Sequence, residues 1–176
     1  MKRLVIVILL VSLLPIQAQN KTTYVGIGLI KYFEGFRSSS YLCPAGVWTI
    51  GHGHTEGVRP GMSITEQRAQ DLLKTDLIEF ELYITRTIRR LLKWYEFDAL
   101  SSFSFNLGYR LKGDLKAGIE TGNTNLVIIK MRTYSKAKVN GVYITLSGLL
   151  NRRIVEGSLY DGSFSNKVIK SLMTVK

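Results

Sequence analysis

The chain has 176 residues, 45% of them hydrophobic, which suits one domain with a real core and argues against a disordered chain. Its 24 Lys and Arg outweigh 13 Asp and Glu, and the formal charge of +11 serves either solubility or anionic partners such as a bacterial envelope or a nucleic acid. A single cysteine, Cys43, excludes an internal disulfide, so the core must stabilise the fold.

The first segment, MKRLVIVILLVSLLPIQAQN, opens with Lys2 and Arg3, runs apolar from Leu4 to Leu14 and reaches the small residue Ala18. This is a secretory signal peptide pattern over residues 1–19, with cleavage expected after Ala18 and a single domain over 20–176. The apolar run is shorter than the roughly 18 residues that span a bilayer, which argues against a permanent anchor. Removing Lys2 and Arg3 leaves 22 basic against 13 acidic residues, a charge of +9. Residues 20–85 hold 6 basic and 7 acidic groups and residues 86–176 hold 16 and 6, so the second half carries the excess.

From Thr22 to Phe36, the residues Val25, Leu29, Ile30 and Phe33 recur at helical spacing, with Thr22 or Thr23 available as a cap. This places Glu34 at the end of a short helix. The stretch SSSYLCPAGVWTIGHG then reads as a small β-hairpin turning at Pro44, Ala45 and Gly46. Ser63-x-x-Glu66 reads as a capping box that opens a long helix. Its stripe of Ala69, Leu73, Leu77, Phe80, Ile84 and Ile88 is expected to be core and is assigned no chemistry.

Phe97, Leu100, Phe103 and Leu107 predict a further helix ending at Gly108. The run NTNLVIIKM suits a buried helix or a strand. LSGLLNRRIVEGSLYDG returns to helix with Leu146, Leu150 and Ile154 on one stripe, and the tail after Gly162 is expected to pack loosely. The layout predicts an α+β fold with its strands confined near the N-terminus.

Chemistry concentrates in FEGFRSSSYLCPAGVWTIGHGHT, residues 33–55. Glu34 lies among Tyr32, Phe33 and Phe36, an apolar setting in which a carboxyl keeps its proton and can donate it to a leaving oxygen. Eight residues further comes Cys43, then five more and Thr49, and the hairpin would carry both opposite the helix end with a cleft between. A free thiol is a poor base unless positive charge lowers its pKa. His52 and His54 on a strand would share one face, where Glu56 or Cys43 could add a metal ligand. Without a second Cys or an H-E-x-x-H helix this falls short of a catalytic set, and neither metal nor cofactor is expected.

The spacing Glu34-x8-Cys43-x5-Thr49, with FEGFR, GVWTIGHGHT, SSFSFNLG and GLLNRRIVEGSLYDG in that order, resembles the phage-type lysozymes or endolysins of glycoside hydrolase family 24. The resemblance covers about residues 25–162. It implies a lysozyme-like fold, with a cleft between a small N-terminal β-hairpin subdomain and a mainly helical lobe. It also implies a muramidase cutting the β-1,4 bond between N-acetylmuramic acid and N-acetylglucosamine in peptidoglycan.

In that resemblance Glu34 is the general acid, Cys43 occupies a position shared by Asp and Cys, and Thr49 supplies a hydroxyl that helps hold water. Either Arg152 or Arg153 reaches Glu34 across the cleft, or both remain solvated helix charges. Asn106 ends a helix or lines the cleft, and His54 is a structural or cleft-wall residue. The competing readings are a lytic transglycosylase, which needs only the acid, and an inactive wall-binding protein. Expected partners are peptidoglycan glycan strands and an anionic envelope surface met by the basic C-terminal half. Nucleic acid is not expected, and membrane contact is expected only through the N-terminal signal of an exported, periplasmic or secreted monomer. Some family members stay tethered by that segment until release, whereas Pro15 and the QAQ that follows suit cleavage here.

Overall fold

The computed structural model describes residues 21–43, 45–139 and 141–164. The expected signal peptide, Pro44 in the hairpin turn and the tail from residue 165 lie outside the described residues. Phe164, the last described residue before that tail, packs against the core.

The chain runs α1 (Tyr24–Glu34), β1 (Arg37–Leu42), β2 (Trp48–Gly51), α2 (Glu66–Thr87), α3 (Trp94–Leu107), α4 (Gly113–Thr121) and α5 (Thr124–Arg132). A 3-10 turn (Thr133–Ser135), β3 (Lys136–Val139), β4 (Val142–Thr145) and α6 (Ser147–Tyr160) follow. The two antiparallel pairs, β1 with β2 and β3 with β4, form separate small sheets.

Thr23 caps α1, its hydroxyl accepting from the Val25 amide at 3.2 Å. Asp98, wholly buried on α3, accepts from the Thr23 amide at 2.7 Å and the Gly26 amide at 2.9 Å, so α3 fixes where α1 begins. A Cβ on Gly26 would lie 2.7 Å from the Asp98 carboxyl carbon, which is why the contact needs glycine. The main core joins Leu29, Ile84, Leu100, Phe103, Met131 and Leu159 from α1, α2, α3, α5 and α6. A smaller cluster of Ile30, Leu73 and Leu77 seals α1 against α2. Both clusters hold the C-terminal end of α1 rigidly, and that end carries Glu34.

Four sequence expectations are corrected. The cap of α2 is Thr65, whose hydroxyl accepts from the Arg68 amide at 3.2 Å, not Ser63. Ser63 instead bridges Ser39, and the Ile64 amide donates to the Ser38 carbonyl at 2.8 Å. These extended-chain contacts delay the helix by two residues.

Strands are not confined near the N-terminus, because β3 and β4 pair in the second half, with Lys136 opposite Thr145 and Lys138 opposite Tyr143. The signal was Asn140-Gly141, a hairpin dipeptide between β-branched residues, with Gly141 at φ 87°. NTNLVIIKM resolves as helix α5, since Asn123 accepts from the Leu126 amide at 3.1 Å and caps it.

On α6 the expected stripe is displaced. Ile154 is 40% exposed, while Arg152, Arg153 and Glu156 are buried with Leu159 and Tyr160. Two arginines and a glutamate on one face neutralise much of each other's charge, and that lets the polar side of the helix turn inward. Phe80 leaves the expected core stripe of α2 and faces a cleft.

Candidate active site

Glu34 is the last residue of α1, and Gly35, at φ 69°, ends the helix by donating its amide to the Lys31 carbonyl at 2.9 Å. The Gly35 carbonyl accepts a hydrogen bond from Nδ1 of His52, a buried residue just beyond β2. Burial holds the His52 imidazole below its ordinary value of 6.5, so the ring is neutral at pH 7 and Nδ1 carries its proton. The ring also meets Phe36 at 5.6 Å between centroids. His52 therefore fastens the β-hairpin to the residue that follows Glu34.

The Glu34 side chain is 24% exposed, and its Oε1 accepts from Arg152 Nη1 at 2.6 Å. This differs from the apolar enclosure expected around Glu34. Phe33 lies beneath the Arg152 guanidinium at 5.3 Å, while Tyr32 and Phe36 are exposed, so the carboxylate faces a cation.

Arg152 is only 4% exposed and spans three partners. Its Nε meets Glu156 Oε1 at 3.0 Å, and Nη2 donates to the Ser102 carbonyl at 3.2 Å. Ser102 donates its hydroxyl to Glu156 at 2.7 Å. Arg153, with no exposed side-chain surface, donates through Nη2 to Asn106 Oδ1 and to Glu156 Oε1, both at 3.0 Å, and lies over the Phe103 ring at 4.8 Å. Burial pushes the Glu156 carboxyl up and the Arg153 guanidinium down, and each opposes the shift in the other. The alternative of two solvated arginines is thus overturned.

A cleft of about 420 Å³ opens beside Glu34. It is lined by Glu34 and Asn106 at the helix ends, Gly53 and Thr55 from the turn after β2, and Asp76 and Phe80 from α2. Gly53 has φ 98°, and a Cβ there would come 4.0 Å from Glu34 Oε2. One carboxylate oxygen is therefore held by Arg152, and the other is turned toward the Gly53 wall of the cleft.

His54 Nδ1 lies 2.9 Å from both Asp76 oxygens, tying the turn to α2. Burial pushes the Asp76 carboxyl up, and the hydrogen bond from His54 opposes that. The two histidines do not share a face, because Gly51 at φ 68° and Gly53 at φ 98° replace the strand by a tight turn. His52 addresses Gly35 and His54 addresses Asp76. Among the described residues, no three His, Cys, Asp or Glu side chains gather as a metal ion requires.

Cys43 and Thr49 come together at the hairpin, and neither lines the 420 Å³ cleft with Glu34. The Cys43 amide donates to the Val47 carbonyl at 3.0 Å, and the buried Thr49 hydroxyl donates to the same carbonyl at 3.0 Å. Backbone hydrogen bonds from Val47 and Ala45, with a smaller contribution from Thr49, hold the Cys43 thiol below its ordinary value of 9.0. Sequence reasoning passed over Asp76, Ser102 and Glu156. The signal for the last was its spacing, since Arg152 and Glu156 are four residues apart on one helix face.

A carboxylate ending a helix, in a cleft between the turn after β2 and the helices, joins with likeness to known endolysins and muramidases to define a lysozyme, a hydrolase acting on peptidoglycan. The chain matches Phage lysozyme over residues 31–156 and belongs to that family. It is 34% identical over 140 residues to an endolysin of Acyrthosiphon pisum secondary endosymbiont phage 1, covering 78% of this chain and 96% of that one. It is 37% identical over 89 residues to the SAR-endolysin of Escherichia phage P1, covering 50% of this chain and 48% of that longer relative. The muramidase domain of SpmX from Asticaccaulis excentricus superposes with a TM-score of 0.76 at 34% identity, covering 80% of this chain and 97% of the domain.

Proposed function

We propose that the protein is an exported muramidase that hydrolyses the β-1,4 bond between N-acetylmuramic acid and N-acetylglucosamine, with Glu34 as general acid. The observation that carries this reading is the asymmetry of the Glu34 carboxylate, with Oε1 held by Arg152 and Oε2 turned toward the cleft. A glycosidic oxygen bound in the cleft receives its proton from Oε2, while water attacks the anomeric carbon from the opposite face. Thr49 orients that water and Cys43 assists it, its thiol held below the ordinary value by hydrogen bonds from Val47 and Ala45. His54 and Asn106 shape the walls through Asp76 and Arg153.

Export is supported by the N-terminal pattern of the sequence and by a relative named as a SAR-endolysin. The excess of positive charge in residues 86–176 suits a monomer working against an anionic wall.

One observation favours a second reading. Glu34 lines the cleft and Cys43 and Thr49 do not, which is what a lytic transglycosylase, needing only the acid, would present. Mass spectrometry of released muropeptides separates the two, since anhydromuramic ends belong to the transglycosylase alone. A zymogram of Glu34→Gln tests the acid itself. Clearing should vanish with folding intact, and persistent clearing removes Glu34 from the mechanism.

A further inference from the structure

We infer that Glu156, which has no exposed surface, is a positioning residue for the reaction, holding Arg152 and Arg153 so that they set Glu34 and Asn106 beside the cleft. The inference rests on the reading of Glu34 as the acid.

Glu34 ends α1 and Asn106 lies near the end of α3, and each is held by a neighbouring arginine of α6. Arginine side chains are long and lose much freedom when fixed, so a single contact with a carboxylate at their tip does not hold one geometry. Glu156 removes that freedom from both, accepting hydrogen bonds from Arg152 Nε and Arg153 Nη2, each at 3.0 Å. Ser102 braces the arrangement from α3, donating to Glu156 at 2.7 Å and accepting from Arg152 through its carbonyl at 3.2 Å. The Phe33 and Phe103 rings lie against the two guanidinium planes at 5.3 and 4.8 Å.

Stability does not explain the arrangement. A buried ion group of this kind is often no more stable than an apolar cluster of the same volume. Of its four members, Glu34, Glu156, Arg152 and Arg153, Glu34 is the one whose carboxyl reaches the cleft. What the ion group achieves, and an apolar cluster cannot, is to hand a fixed guanidinium to Glu34. Misplacing a reacting group by about 1 Å can cost about 100-fold in rate.

Two variants test this on purified peptidoglycan fragments. Glu156→Gln keeps the shape and removes the charge, and it should lower kcat about tenfold or more with KM within about twofold, because substrate never touches Glu156. The double variant Arg153→Met with Glu156→Leu replaces the buried pair by apolar volume and guards against a Gln variant that does not fold. It should melt near the wild type and still turn over slowly. A purely structural Glu156 would make activity follow the fraction folded, so wild-type kcat in either folded variant overturns the inference. Glu34→Gln run alongside separates the two readings. If Glu34→Gln is inactive beside fully active Glu156 variants, only the positioning role is lost, whereas an active Glu34→Gln sinks the acid.

Discussion

Arg152 Nη1 lies 2.6 Å from Glu34 Oε1, although 118 residues separate them in the chain. The contact joins α1 to α6 across the interior, and it is backed by Glu156, so Arg152 supports both the fold and the site.

Replacing Arg152 by Met should strand two carboxylates, Glu156 in the core and Glu34 at the cleft. Breaking a buried pair from one side costs roughly 3–5 kcal/mol, which for a chain of this size lowers Tm by about 10 °C. Arg152→Lys should lose less stability, because it keeps the charge, but it cannot make the Nε and Nη2 contacts at once. Thermal melts followed by circular dichroism check both, and a Met variant melting with the wild type would contradict this account.

His52 should make stability depend on pH. Its folded-state pKa lies below 6.5, so between the two values the unfolded chain binds the extra proton. The stability it contributes is therefore fully present above pH 6.5 and is lost as pH falls through 6.5 toward the lowered value. Urea unfolding at a series of pH values should show a weaker dependence in His52→Asn over that window than in the wild type. Equal slopes would remove His52 as the cause.

At Cys43, alkylation should begin at lower pH than for an ordinary thiol, since Val47, Ala45 and Thr49 all favour the thiolate. Thr49→Val removes one of these hydrogen bonds and should move the midpoint of iodoacetamide labelling upward. Cys43→Asp tests the role itself. Near-normal hydrolysis supports water activation, whereas loss points to chemistry that needs sulfur.

Gly53 stands at φ 98°, where a β-carbon is strained, and faces Glu34 Oε2. Gly53→Ala should cost on the order of 1 kcal/mol or more of stability. Activity should fall only as far as stability does, because a Cβ 4.0 Å from Glu34 Oε2 is in ordinary van der Waals contact and does not displace that oxygen. Chemical denaturation and turnover measured on the same preparation separate the two losses.

Much of the helical frame is local in origin, and it is readable for that reason. Thr23 as a cap, Gly108 as a stop and the period of Leu73, Leu77 and Ile84 depend on neighbours within a few residues. The same holds for the spacing of Glu34, Cys43 and Thr49, which points to a lysozyme. The cap at Thr65 escapes a local reading because long-range pairing of Ser39 with Ser63 overrides a local capping preference.

By itself, then, the sequence determined the family, the main helices and the residues that carry the proposed chemistry, since each is written in short-range patterns. Tertiary structure alone decided which partner each of those residues meets. A charge on a helix reads as solvated until another element covers it, and Arg152 and Arg153 turn inward because Glu34, Asn106 and Glu156 await them there. The two histidines look alike in sequence and part only because a tight glycine turn sends one to Gly35 and the other to Asp76. Apart from the pairing of the arginines with Glu156 within one helix, such contacts join residues far apart along the chain, and no local pattern encodes them.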